Sequence, residues 1–165
     1  MAASKFTGPA ATLVVAAVAL AMGIAALVRP AVADEAVGAS IFAARCAVCH
    51  GPEAAGIPGS FPSLHEQIVA FAKTLEGRDY LVMVVTGGLM GDLKLAGTRY
   101  RGVMPAQSGL SEAEVAAVLS YLASDRGKDP AAPVLTAADV AAARGRHSDG
   151  SAQGTHALRP AFPDQ

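Results

Sequence analysis

Cys46, Cys49 and His50 stand in the stretch Cys46-Ala47-Val48-Cys49-His50, two thiols three positions apart with an imidazole directly after the second. Thiols at that spacing share one face of a helical turn and can add across two vinyl groups on one porphyrin edge. The next residue then lies under the ring, where its nitrogen can bind iron; this is the C-x-x-C-H pattern for covalent haem c attachment. A thioredoxin-type redox pair is the other chemistry that C-x-x-C supports. It asks for a βαβ setting and a reducing compartment, and neither pattern is visible in the chain.

An iron held by His50 has a second axial position, and the chain has five methionines. Met1 and Met22 fall in the N-terminal apolar run. Met83 sits in the apolar stretch Tyr80 to Val85 and reads as core filling. Met90 lies between glycine-rich turns. Met104 follows Gly102-Val103 and precedes Pro105, in a segment that the proline holds extended, so it is the first choice of ligand and Met90 the second. A thioether opposite imidazole raises the potential by favouring ferrous iron, which suits a one-electron carrier. With Met104 unbound the iron would be open, and the chain would read as a five-coordinate haem sensor or peroxidase. No residue is assigned a catalytic acid–base role.

Metal-bound histidines usually donate their free ring N–H to a carbonyl or carboxylate. Pro62, in Phe61-Pro62-Ser63-Leu64, can hold such a carbonyl for His50; simple loop punctuation is the competing account of that proline.

Around these residues the elements read as helical. The stretch Glu35 to Cys46 places Val37, Ile41 and Phe42 near one face, with Gly38 inviting close approach by another element. Gly51-Pro52 and Gly56 to Ser60 are loop chemistry. Helices are expected from His65 through Leu75 and from near Asp79 to Gly87-Gly88. Leu93 to Arg101 alternates as a small β-hairpin, too short to stand alone. Ser111 and Glu114 form a capping box that opens a helix through Leu122. A linker follows from Lys128 to Val134, then one more short helix from Thr136 to Arg144. From Gly145 to Gln165 the composition predicts loose chain, with His147 and His156 solvated in it.

The N-terminal stretch has Lys5, an uncharged run from Ala10 to Val28, then Pro30 and Ala31-Val32-Ala33. Residues 1–33 read as a signal peptide cleaved after Ala33, with an uncleaved membrane anchor as the alternative. This leaves a haem-binding domain at 34–127 and a partly disordered extension at 128–165. Thirteen Lys+Arg against 14 Asp+Glu leave a net charge of −1, with no basic block, which argues against a nucleic-acid partner. Five Phe, three Tyr and no Trp are few bulky groups for a core, a shortage that a buried porphyrin would relieve.

From about Gly38 to Ser124 the chain resembles the class I c-type cytochromes. Gly38 and Phe42 lie eight and four residues before Cys46, as in that family, where they pack on an aromatic of the C-terminal helix; Tyr121 is the matching residue. Pro62, twelve residues after His50, matches the proline whose carbonyl orients the haem histidine. Tyr100, Gly102, Met104 and Pro105 look like the Y-x-G-x-M-P stretch of bacterial members that carry a hairpin before the methionine. The resemblance implies an all-α fold of three to four helices around one covalent haem c, with a small hairpin near Met104. It implies Cys46, Cys49, His50, Pro62, Tyr100 and Met104 as cofactor-binding residues, with His50 and Met104 on the iron. It also implies a periplasmic electron carrier serving redox partners such as a periplasmic dehydrogenase or reductase, or a terminal oxidase. A cytochrome subunit of a larger oxidoreductase is the alternative, and membrane association follows only if the N-terminal segment is retained.

Overall fold

The computed structural model describes residues 34–161; the expected export segment and its cleavage site lie outside the described residues. Among the described residues there are six helices and one two-stranded antiparallel sheet, and no helix is long and apolar enough to cross a membrane.

Helix α1 occupies residues 34–50 and is interrupted at Phe42–Cys46 by a π-helical turn, after which Ala47–His50 resumes the α form. The Ala47 N–H donates to the Phe42 carbonyl, the wide i to i+5 bond of that turn. One added residue rotates everything downstream by about 100° relative to an uninterrupted helix. Phe42 and the attachment cysteines are therefore phased independently. Phe42 is buried and packs on Tyr121, ring centroids 5.9 Å apart.

Helix α2 spans Glu66–Phe71 and α3 spans Leu75–Gly87. The latter starts four residues before the expected Asp79 because the Thr74 side chain accepts a hydrogen bond from the Gly77 N–H and caps it. Tyr80, Leu81, Val82 and Met83 are buried along it, and Met83 is core filling as expected.

Strand β1 (Leu89–Leu95) pairs with β2 (Thr98–Met104) from Leu89↔Met104 to Leu95↔Thr98. The hairpin is longer than its alternating centre suggests. Met90, expected between glycine-rich turns, lies within β1, and Met104 is the last residue of β2. Leu89, Leu93 and Leu95 are buried and join the core that Val82, Val115 and Leu119 form, which supplies the support a two-stranded ribbon needs.

Helix α4 (Glu112–Ala123) carries the expected capping box, Ser111 with Glu114. It crosses α1 at Gly38, where a Cβ would overlap the Ala117 carbonyl and the Tyr121 Cβ. Only a glycine allows that approach. The fold is thus the class I cytochrome c architecture, all-α with a small hairpin.

Beyond α4 the short helix expected after Thr136 is present, and the departure from the expectation begins after it. Helix α5 (Ala137–Arg146) has its own capping box from Thr136 and Asp139 and buries Val140 and Ala143. The stretch after Gly145, expected to be loose, folds back and forms α6 (Ala152–Ala157), which buries Thr155. His147 and His156 are not solvated tail residues. His147 Nε2 lies 3.0 Å from Asp79 Oδ2, and His156 Nε2 donates to the Asp92 carbonyl at 3.0 Å.

Candidate haem attachment site

The end of α1 presents Cys46, Cys49 and His50 within one helical turn and a half. Both cysteines are free thiols, half-buried, so no disulfide competes for them. Val48, between them in sequence, points away and is 82% exposed. Burial pushes the Cys46 thiol above its ordinary value; Arg45 opposes this and Cys49 reinforces it. Cys46 is thereby kept as the neutral thiol.

His50 is only 7% exposed. Its Nδ1 lies 2.8 Å from the Pro62 carbonyl oxygen, and since a carbonyl only accepts, Nδ1–H is the donor. That fixes the tautomer and leaves Nε2 with its lone pair free to bind a metal. Burial holds the imidazole below its ordinary pKa, with the Pro62 bond acting more weakly the other way. His50 is in the neutral form a ligand must have.

The loop brings the Pro62 carbonyl back to His50. Gly51 ends α1 with φ 77°, the Gly56 N–H donates to the His50 carbonyl at 2.8 Å, and Leu64 N–H donates to Ala54 at 2.9 Å. Gly56, at φ 70°, lies so near Phe61 and Pro62 that a Cβ would overlap their carbonyl groups. Phe61 stands edge-on to the His50 ring, centroids 6.4 Å apart. Gly56 and Phe61 were not singled out as site residues from the sequence. A glycine six residues after the motif, just ahead of the proline loop, was the signal available for the first.

Met104 is half-buried at the end of β2 and packs on the core. The segment after it is tied down from two sides: Gln107 N–H donates to the Val85 carbonyl at 2.8 Å, and Arg45 Nη1 donates to the Ser108 carbonyl at 3.2 Å. Arg45, beside Cys46, therefore connects the attachment helix to the methionine segment, a link no sequence pattern announced. Tyr100 is half-buried opposite Leu93 in the hairpin register. Met90 is 38% exposed, and its sulfur accepts a hydrogen bond from Gln153 at 3.3 Å.

A family model described as cytochrome c matches residues 35–125, more than half of the chain. The chain belongs to the cytochrome c family. Two relatives from Thermus thermophilus, each described as cytochrome c-552, are 40% identical over 90 residues, 54% of this chain. The match covers 68% of one relative and 60% of the other, so the chain spans somewhat less than two thirds of the second.

Membership gives the C-x-x-C-H stretch its chemistry: Cys46 and Cys49 carry one haem c through two thioethers. The residues fit the group, with two reduced thiols on one helical turn and a buried neutral imidazole whose Nδ1 is already engaged. When bound, the haem supplies a one-electron iron couple, and cytochromes c are electron carriers rather than enzymes. The matched region ends at Asp125, so α5 and α6 lie beyond it.

Proposed function

We propose that this is an exported, periplasmic carrier of single electrons that exchanges them with separate redox proteins, a dehydrogenase or reductase on one side and a terminal oxidase on the other. In this reading His50 and Met104 would hold the iron, Pro62 would orient His50, and Tyr100 on the hairpin would line the haem. The observation that carries it is the 2.8 Å contact from His50 Nδ1 to the Pro62 carbonyl, which prepares an imidazole for permanent metal binding. The pinned position of Met104, between the hairpin and the Gln107–Val85 bond, supports it as the second ligand. With both side chains bound, the iron would be closed to small molecules, and the chemistry the haem would supply is one-electron transfer. The chain's residues then contribute a rigid ligand set that changes little between oxidation states.

Stopped-flow mixing of the ferrous protein with ferricyanide tests this. The expected result is a single oxidation phase whose rate is linear in oxidant, unchanged under carbon monoxide. Slow, saturating oxidation that carbon monoxide blocks would contradict it.

A further inference from the structure

The C-terminal chain returns to the hairpin that ends in Met104. His156 Nε2 donates to the Asp92 carbonyl at 3.0 Å, and Gln153 Nε2 donates to the Met90 sulfur at 3.3 Å. Both partners lie on β1, on either side of Gly91. Gly91 has φ 143°, and a Cβ there would overlap the His156 imidazole; the glycine makes room for the ring. Thr155, between the two donors in sequence, is fully buried, so α6 is seated and its side chains reach β1 from a fixed base. The register then carries the constraint across, since Leu89 and Met90 on β1 pair with Met104 and Val103 on β2.

From this juxtaposition we infer that α6 is a clasp that positions Met104 for the iron, with His156 and Gln153 as its positioning residues. The clasp acts in two ways. Through His156 it braces the outer edge of a ribbon that would be mobile alone. Through Gln153 it occupies the sulfur of Met90, the other thioether on the hairpin, and keeps it from competing. The inference rests on the reading of Met104 as the sixth ligand.

Added imidazole can take the sixth position only in the fraction of molecules whose methionine has left, so its apparent affinity reports that fraction. The experiment is imidazole titration of the full ferric protein and of His156→Ala, Gly91→Ala, His156→Gln and Met104→Ala, with urea unfolding of each in parallel. Loss of one hydrogen bond should tighten imidazole binding about five- to tenfold in His156→Ala. Gly91→Ala, which displaces the ring without changing it, should do the same. Gln can donate to the Asp92 carbonyl, so His156→Gln should return toward wild type. Wild-type imidazole affinity in His156→Ala and Gly91→Ala, with only the urea midpoint lowered, would reduce α6 to a structural prop and overturn the clasp alone. A methionine–iron charge-transfer band retained in Met104→Ala would overturn the ligand assignment, and the clasp with it.

Discussion

Asp79 and Arg146, 67 residues apart, form a two-pronged ion pair, with Nε on Oδ2 at 2.8 Å and Nη2 on Oδ1 at 2.6 Å. Asp79 is nearly buried on α3, and Arg146 is the last residue of α5. His147 adds a third contact to the same carboxylate. The pair thus helps to fasten the chain beyond the matched domain to it, together with the burial of Val140 and Ala143 and the bonds from α6 to β1.

Asp79→Asn leaves the shape and removes the charge. Hydrogen bonds to charged groups contribute about 1.5–3 kcal/mol, so a loss near the lower end of that range is expected because Arg146 is partly exposed. The Arg146 guanidinium, with His147 behind it, holds the Asp79 carboxyl below its ordinary value against the effect of burial, and Asp139 is the other carboxylate near Arg146. A depressed folded-state pKa stabilises fully above the unfolded value of about 3.9 and is lost as the pH falls through the folded value. Urea unfolding from neutral to acid pH should therefore show wild type and Asp79→Asn converging below about pH 4. A constant gap down to pH 2 would count against the assignment.

Gly38→Ala tests the crossing of α1 and α4. Its new Cβ would meet the Ala117 carbonyl and the Tyr121 Cβ, and overpacking of this kind costs about 1–3 kcal/mol. The better helix propensity of alanine recovers at most about 1 kcal/mol. Thermal unfolding should show a lower midpoint with the haem still attached; an unchanged or higher midpoint would mean that the crossing yields easily.

Gly56→Ala should act on the iron without touching a ligand. The Cβ would push the Phe61 and Pro62 carbonyl groups from their places, weakening the bond that Pro62 accepts from His50. A less basic imidazole stabilises ferric iron less, so the reduction potential should rise, on the order of 40 mV for each kcal/mol by which the lost bond had favoured the ferric over the ferrous state. Potentiometric titration reads this directly. A fall in potential would be the wrong sign for this account.

Much of this centre could be read in advance because it is encoded locally. Cys46, Cys49 and His50 are adjacent, and Gly38, Phe42 and Pro62 stand at fixed distances from them. Capping at Ser111 and the short helix after Thr136 depend on residues three positions apart and were equally legible. The π turn at Phe42–Cys46 was not, since no residue type marks it. The hairpin was read only at its alternating centre, because Gly88 and Gly91 disguise the start of β1. Helix α6 was missed for a different reason. Its sequence, Ala152-Gln153-Gly154-Thr155-His156-Ala157, is polar with a glycine inside, and what holds it is the burial of Thr155 and the bonds to β1. Those are contacts with residues some 60 positions away, which local pattern cannot report.

The most direct measurement is the long-wavelength charge-transfer band of the ferric protein, recorded for wild type and Met104→Ala, with carbon monoxide then added to each after reduction. The account predicts the band in wild type, its loss in Met104→Ala, and carbon monoxide binding only in the variant. A wild type that lacks the band and binds carbon monoxide would contradict the His50/Met104 pair and with it the electron-carrier reading.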